Sequence, residues 1–192
     1  MESQKTHLKK PRPGHKRRFT EGKLDNDLIL KELNLVPGQI VVDAGCGSGY
    51  MAKLFSQQVG ESGKVFALDL NAEHLEQLSK ETAGTNITAM ICDISRTTLM
   101  ESGSVDLVYM STVIHSFSKW KVQGLVQELQ RILRPGGSLA VVEIDKRETP
   151  FGPPLKQRYS PRELQKALPF VPLNTVFVAE YFYLQVFEVH PA

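Results

Sequence analysis

The chain has 192 residues, of which 41% are hydrophobic and 23% are charged, and its formal net charge is +2 at pH 7. This length predicts one domain with a full hydrophobic core and excludes two full domains. No apolar run approaches the roughly 20 residues that span a bilayer, and the basic N-terminus lacks the apolar stretch of a secretory signal.

The charge is distributed unevenly. Residues 1–18 contain seven Lys and Arg and one acid, a net charge of +6, whereas the rest of the chain carries −4. We therefore predict a basic flexible tail and possible lid over 1–21, followed by one domain over 22–192. Two interpretations of the tail stay open: a solvated terminus, or a segment that attracts RNA or another anionic partner.

The two cysteines, Cys46 and Cys92, lie inside the predicted domain. Their positions do not match any metal-ligand spacing, so no metal site is predicted. A reduced, cytoplasmic setting is the simplest interpretation.

Helix and strand patterns alternate along the domain. A helical pattern covers 24–33, and short strand patterns follow near 40–44, 64–68, 86–92, 105–110 and 138–144, with helices between them. The helix before the fifth strand is expected to stop at Pro135-Gly136-Gly137. Such alternation in short units predicts an α/β fold with a parallel sheet and helices on both faces. The last two strand patterns, near 173–178 and 181–189, have almost no linker and must therefore pair antiparallel.

The first strand pattern leads into the sequence Asp43-Ala44-Gly45-Cys46-Gly47-Ser48-Gly49 and then into a helix. Glycine is needed where the backbone adopts a positive φ or where a ligand approaches without a Cβ in the way. A strand, a glycine turn and a helix N-terminus together predict a nucleotide-type pocket at the carboxyl edge of the sheet. We interpret Cys46 as a small residue between glycines rather than a reactive thiol.

Three further features follow the next strands. Asp69 ends the second strand, where a carboxylate can accept hydrogen bonds from both hydroxyls of a ribose. Asp93 follows the third strand, in position to reach an adenine amino group. The segment Met110–His115 follows the fourth strand and would border the reacting end. Each acid could instead be a helix or turn cap, and His115 could be structural.

The string Val-Val-Asp-Ala-Gly-Cys-Gly-Ser-Gly at 41–49, with Asp69, Asp93, Val105–Val108 and Leu133–Leu139, resembles the class I S-adenosylmethionine-dependent methyltransferases. The likeness covers about 22–190 and is to the small stand-alone bacterial and archaeal members. It implies a doubly wound, mostly parallel seven-stranded sheet whose last strand is antiparallel. It also implies S-adenosylmethionine as the cofactor. The expected cofactor-binding residues are Asp43, Gly45, Cys46, Gly47, Ser48, Gly49, Asp69, Leu70, Asp93, Ile94, Met110 and Ser111.

A nicotinamide dinucleotide is the rival cofactor. Its fingerprint is Gly-x-Gly-x-x-Gly, with a pyrophosphate on the helix N-terminus. Here the spacing is Gly-x-Gly-x-Gly, and Asp43 lies two residues ahead of the first glycine. That acid would repel a pyrophosphate but suits a cofactor with a positive sulfonium, so the sequence favours the methyl donor.

His115 is the candidate general base, needed if the acceptor loses a proton during methyl transfer. The proline-broken loop over 143–159 is expected to overhang the pocket, with Phe151 and Tyr159 as a wall and Arg158 as an anion contact for the substrate. No Asn-Pro-Pro-Tyr or Asp-Pro-Pro-Tyr motif follows the fourth strand, which disfavours methylation of a base amino group. A small-molecule acceptor is favoured. RNA or protein methylation, or a non-catalytic cofactor-binding partner subunit, stays open, as does a monomer or a homodimer.

Overall fold

The computed structural model of this chain describes residues 22–190, which form a seven-stranded sheet flanked by helices. The predicted tail over 1–21 lies outside the described residues. The strands are β1 (Ile40–Ala44), β2 (Lys64–Asp69), β3 (Ile87–Ile91), β4 (Val105–Ser111), β5 (Leu133–Ile144), β6 (Val171–Ala179) and β7 (Phe182–Glu188). The helices are α1 (Asn26–Leu33), α2 (Tyr50–Val59), α3 (Ala72–Glu81), α4 (Lys119–Ile132) and α5 (Pro161–Ala167), with 3₁₀ turns at Ile114–Ser116 and Leu155–Gln157.

The strands are arranged in the order β3-β2-β1-β4-β5-β7-β6. β1 to β5 are mutually parallel, and β7 runs antiparallel to both β5 and β6. The predicted α/β class, the seven strands and the antiparallel C-terminal hairpin are therefore confirmed.

The hydrophobic core has two layers, one on each face of the sheet. Helices α1, α2 and α3 cover one face through residues such as Ile29, Phe55 and Leu78. Helices α4 and α5 cover the other face through Leu125 and Leu164. Because both faces are covered, the central parallel strands β1 and β4 are buried almost throughout, as in a doubly wound sheet, whereas the edge strand β3 is partly exposed.

Two helix starts follow from the capping residues that precede them. The Asn71 side chain accepts a hydrogen bond from the His74 N–H at 3.2 Å and begins α3. Ser160 and Glu163 form a reciprocal capping box at the start of α5. Both side chains satisfy backbone N–H groups that the first helical turn leaves without partners.

The junction between α4 and β5 differs from the prediction. α4 ends at Ile132, and the backbone becomes extended at Leu133, which pairs with Val105 across an irregularity in the ladder. Pro135-Gly136-Gly137 therefore lies inside β5 rather than after a helix. A proline and two glycines are tolerated there because the ladder is locally irregular.

A buried polar cluster joins α4 to the connection between β3 and β4. The Glu128 carboxylate accepts hydrogen bonds from the Thr98 N–H at 2.7 Å and from its hydroxyl at 2.6 Å. The Arg131 guanidinium donates to the same carboxylate and to the Met100 carbonyl. Burial alone would raise the pKa of Glu128, but the hydrogen bonds from Arg131 and Thr98 hold it below its usual value.

Within residues 22–190, none of the helices combines the length and the apolar character that crossing a bilayer demands.

Candidate functional site

The glycine turn after β1 is held against the end of β2. The N–H groups of Gly45 and Cys46 both donate to the Leu68 carbonyl, at 2.7 and 2.8 Å. Gly45 has φ +76°, and a Cβ added to it would lie 2.5 Å from Cγ2 of Val113. Gly45 therefore needs both the positive φ and the absence of a side chain.

Asp69 holds the same turn from the end of β2. Its Oδ2 accepts the Gly47 N–H at 2.7 Å, and its Oδ1 accepts the Asn71 N–H at 2.9 Å. Asp69 therefore does cap backbone N–H groups, as one of the two interpretations predicted. A carboxylate oxygen can accept more than one hydrogen bond, so the capping contacts are compatible with binding a ribose hydroxyl.

Asp93 lies at the equivalent position after β3. Its Oδ1 accepts from the Ser95 N–H at 3.0 Å and from the Ser95 hydroxyl at 2.6 Å, while Oδ2 faces Nζ of Lys121 at 2.9 Å. Burial acts to raise the pKa of Asp93, but these hydrogen bonds and the Lys121 charge hold it below its usual value. Asp93 is therefore an anion at neutral pH.

These groups surround a cavity of about 400 Å³ at the carboxyl edge of the sheet. This volume falls within the range of small-molecule sites, about 300–1,000 Å³. The lining residues are Gly45, Asp69, Leu70, Cys92, Asp93, Ile94, Ser111, Thr112, Val113, Ser116, Phe117 and Lys121. The Ser111 hydroxyl is buried in this wall without a hydrogen-bond partner among the described residues.

Six of the twelve expected cofactor-binding residues line this cavity: Gly45, Asp69, Leu70, Asp93, Ile94 and Ser111. Gly47, Ser48 and Gly49 belong to the turn, where Gly49 is the N-cap of α2 and packs against Leu78. Asp43 is fully buried at the end of β1, behind the turn.

The side chains of two further expected residues, Met110 and Cys46, do not line the cavity. Met110 is fully buried in the core layer under α4, because successive side chains of a strand point to opposite faces and Ser111 takes the cavity side. The Cys46 thiol is fully buried in the other core layer, with Sγ 3.7 Å from the Gly47 carbonyl. Only the backbone of Cys46 contributes to the turn that borders the site.

Four lining residues were missed: Cys92, Ser116, Phe117 and Lys121. Phe117 follows the 3₁₀ turn and Lys121 lies in the first turn of α4, and Nζ of Lys121 lies 5.4 Å from the Phe117 ring centroid. Burial, with the nearby Glu128 and Asp93 charges, raises the pKa of Cys92, so its thiol is protonated at neutral pH.

His115 is paired with a buried carboxylate. Its Nδ1 lies 2.8 and 3.1 Å from the two oxygens of Glu143, and its backbone N–H donates to Oε1 of Glu143 at 3.3 Å. The His115 side chain is 17% exposed and that of Glu143 is 1% exposed. Neither His115 nor Glu143 is among the lining residues of the cavity, but Val113 and Ser116, which are close to His115 in the chain, line it.

The loop after β5 does not form the expected wall. The Phe151 ring packs on Tyr181 and Phe182 of the hairpin, with centroid distances of 5.5 and 6.1 Å. The Tyr159 carbonyl accepts a hydrogen bond from the Tyr183 hydroxyl at 3.0 Å. Both side chains pack against the core layers rather than into the cavity.

Arg158 is a correction to the expected anion contact. The residue is buried, and its guanidinium donates to the carbonyls of Pro153 at 2.7 Å, Arg147 at 2.8 Å and Phe151 at 3.0 Å. These hydrogen bonds hold the loop in its conformation because they give partners to carbonyls that lie outside any helix or strand. The guanidinium therefore has a structural role in the loop.

The site's residues fit S-adenosylmethionine. Gly45 lines the cavity with backbone alone, and Asp69 and Asp93 provide carboxylate oxygens that can accept hydrogen bonds from a ligand. The Ser111 hydroxyl is buried in the cavity wall and has no hydrogen-bond partner within residues 22–190, so a ligand could satisfy it.

Comparison with known proteins gives a consistent result. Residues 41–137 match the family model described as a methyltransferase domain. The chain is 36% identical over 118 residues to the ubiquinone/menaquinone biosynthesis C-methyltransferase UbiE of Hahella chejuensis, a match that covers 59% of this chain and 46% of that protein. The matches cover 34%, 48% and 46% of the length of three of the curated relatives, so the chain corresponds to only part of each.

Two solved structures share the fold over nearly their whole length. A SAM-dependent methyltransferase from Aquifex aeolicus has a TM-score of 0.75 and 26% identity, covering 88% of this chain and 92% of that one. A putative methyltransferase of Haloferax volcanii, solved in complex with the Trm112 methyltransferase activator, also has a TM-score of 0.75. It is 18% identical and covers 90% of this chain and 92% of that one, so its likeness concerns the fold alone.

Proposed function

Because this chain belongs to the methyltransferase-domain family of S-adenosylmethionine-dependent proteins, we propose that it transfers a methyl group from S-adenosylmethionine to a small-molecule acceptor. One observation carries this proposal. The Asp69 carboxylate holds the glycine turn and also lines the cavity, so the turn and the ribose acceptor are positioned by a single side chain.

The roles of the residues follow from their places in the cavity. When bound, the cofactor would supply a methyl group bonded to a positively charged sulfur, and that sulfur would be the leaving group. The backbone of Gly45 borders the cofactor, Asp69 binds the ribose, and Asp93 contacts the adenine. The apolar side chains of Val113 and Phe117 exclude water, so much of the catalysis comes from holding the two reactants in place.

His115 is the proposed general base for acceptors that must lose a proton. Its position after β4, beside lining residues Val113 and Ser116, supports this role. A correctly placed base contributes about 10²- to 10⁴-fold to the rate of a reaction with proton transfer.

A small-molecule acceptor is supported by two observations. The curated relative named above acts, by its name, in the biosynthesis of ubiquinone and menaquinone. The cavity wall also offers the apolar side chains of Ile94, Val113 and Phe117, which suit an aromatic or isoprenoid compound better than a charged polymer.

Calorimetric titration with S-adenosylmethionine tests the proposal. We expect the full chain to bind the cofactor and Asp69→Ala to bind it about 10- to 100-fold more weakly, because each hydrogen bond to a carboxylate contributes roughly 1.5–3 kcal/mol. Glu76→Gln, which alters an exposed carboxylate on α3, is the matched control and should bind like the parent protein. Absence of binding, or equal affinity in Asp69→Ala, would refute the proposal.

Transfer itself needs a second measurement. Labelled methyl groups should pass from S-adenosylmethionine to a component of a metabolite extract rather than to RNA or protein extracts. Label in RNA or protein would favour a macromolecular acceptor. Cofactor binding with no transfer to any pool would favour a non-catalytic cofactor-binding subunit.

A further inference from the structure

The pairing of His115 with Glu143 joins the ends of two neighbouring strands. Glu143 is the penultimate residue of β5, and His115 lies in the 3₁₀ turn that follows β4. Of the two carboxylate oxygens, Oε2 is nearer to Nδ1, at 2.8 Å, while Oε1 also accepts the His115 backbone N–H. Within residues 22–190, the hydrogen bonds of the His115 ring are both at Nδ1.

This geometry determines which ring nitrogen carries the proton. A buried carboxylate is costly unless donors surround it, and Nδ1 becomes a donor when the neutral imidazole is protonated there. Protonation of Nδ1 leaves Nε2, on the opposite side of the ring, as the acceptor nitrogen. Glu143 therefore selects the tautomer that can take a proton at Nε2.

We propose that Glu143 is a positioning residue that keeps Nε2 of His115 able to accept a proton. The proposal restricts the acceptors to compounds that lose a proton on methylation. The acceptor loses a proton at the methylated atom, as phenolic or enolic hydroxyls and carbon acids do. Tertiary amines and thioethers, which lose none, fall outside this class. The inference rests on the proposed function of the same site.

The proton balance of the step is complete without a further reactant. The acceptor's proton passes to Nε2, and the electron pair it leaves forms the bond to the methyl carbon. The pair of the broken carbon–sulfur bond stays on sulfur. The resulting imidazolium is paired with the Glu143 carboxylate, which offsets its charge in a largely buried place.

A purely structural role for Glu143 predicts a different outcome. Because Oε1 accepts the His115 backbone N–H, the carboxylate could merely hold the 3₁₀ turn. Glu143→Gln separates the two roles. If the amide oxygen keeps the backbone N–H, the amide NH₂ takes the place of Oε2 and donates to Nδ1, which shifts the ring proton to Nε2.

The first experiment is ¹H–¹⁵N NMR of the full chain, which identifies the protonated nitrogen of the neutral His115 ring. We expect the Nδ1–H form in the parent protein and the Nε2–H form in Glu143→Gln. Glu188→Gln, which changes the exposed Glu188–His190 pair, is the matched control and should leave the His115 signals unchanged. An Nε2–H ring in the parent, or an unchanged tautomer in Glu143→Gln, overturns the positioning role.

The second experiment measures methyl transfer to four defined acceptors. 1,4-Dihydroxynaphthalene and catechol represent acceptors that lose a proton, and N,N-dimethylaniline and dimethyl sulfide represent those that do not. We expect turnover only with the first pair, and a fall of about 100-fold or more in kcat in Glu143→Gln and His115→Asn, with KM for S-adenosylmethionine within about twofold. Turnover of the second pair, turnover of none, or unchanged kcat in Glu143→Gln overturns the assignment.

The two proposals fail in distinguishable ways. The tautomer is read without cofactor or acceptor, so it tests Glu143 alone. Calorimetry with S-adenosylmethionine tests the proposed function alone. A parent protein with the Nδ1–H tautomer and no cofactor affinity would refute the function and leave the pairing intact.

Discussion

At the scale of single residues, Asp69 and Gly45 depend on each other. Asp69 fixes the turn through the Gly47 N–H, and the turn brings Gly45 so close to Val113 that no side chain fits between them. A change at either residue therefore alters both the stability of the turn and the shape of the cavity. This coupling explains why a short glycine motif is so informative about a binding site.

Gly45→Ala tests that dependence. Its φ of +76° and the Val113 contact at 2.5 Å both oppose a methyl group. We expect a loss of about 2–4 kcal/mol in the free energy of unfolding, from left-handed strain and overpacking together, and weaker S-adenosylmethionine binding. Urea denaturation and calorimetry measure the two effects.

Gly84→Ala is the matched control. Gly84 has φ +79°, but a Cβ there would meet nothing within 4 Å. It should lose only about 1–2 kcal/mol from the left-handed backbone and leave cofactor affinity unchanged. Equal losses in the two variants would contradict the role of the Val113 contact.

Which side chains line the site was only partly predictable from the sequence. Asp69 and Asp93 were found because a strand pattern ending in an acid places that acid at the carboxyl edge of a parallel sheet. Met110 and Ser111 could not be told apart, since a one-residue change of register reverses which of them faces the cavity. Arg158 was misplaced because its backbone partners are set by a loop conformation that the sequence pattern does not determine.

At the scale of secondary-structure elements, the Glu128 cluster fixes α4 to the connection between β3 and β4. The same helix carries Lys121, which contacts Asp93 at the cavity. The position of the cavity wall therefore depends on a carboxylate that lies two helical turns away from Lys121. The apolar spacing of the sequence indicated the helix. It did not indicate the hydrogen bond between Glu128 and Thr98, because the two residues are 30 positions apart.

Glu128 should make stability depend on pH. Its pKa is lowered in the folded protein against an ordinary value of 4.5. Its contribution is therefore complete above that value and is lost as the pH falls through the lower folded pKa. We expect Glu128→Gln to lower the unfolding free energy by about 1–3 kcal/mol at pH 7, because charge-assisted hydrogen bonds become neutral ones.

The difference in unfolding free energy between Glu128→Gln and the parent protein should become smaller as the pH drops below 4.5. Urea denaturation at a series of pH values measures it. Glu148→Gln changes an exposed loop position and is the control. Its unfolding free energy should change with pH as that of the parent protein does. A gap that stays constant down to pH 3 would contradict the assignment.

At the scale of the whole molecule, the sheet order was predictable in outline only. Five parallel strands and a closing hairpin follow from the alternation of patterns and the short link near 180. The insertion of β7 between β5 and β6 does not follow from them, because a hairpin can add to a sheet by either strand. The pairing is settled by packing, since β7 is buried almost throughout and β6 is largely exposed.

The basic segment 1–18 gives a prediction for the full chain. Seven Lys and Arg residues against one acid would attract a polyanion electrostatically. If the segment binds RNA, log affinity should fall with log salt concentration with a slope of up to about −5 for seven phosphate contacts on a single strand. Filter binding to a single-stranded RNA at several salt concentrations measures the slope.

Deletion of residues 1–18 is the comparison. The truncated protein should lose most of its RNA affinity and most of the salt dependence of that affinity. Its affinity for S-adenosylmethionine should stay the same. Unchanged RNA affinity and slope would assign the segment no part in RNA binding.

The central place of β7 has a consequence for biosynthesis. A strand that the ribosome releases after all the other strands lies inside the sheet, so β5 remains an open edge until residues 182–188 have emerged. An unpaired edge is a template for wrong strand pairing. Nascent chains of this protein are therefore most exposed to aggregation between the synthesis of β5 and that of β7, because β6 pairs only with β7 and cannot cover the open edge alone.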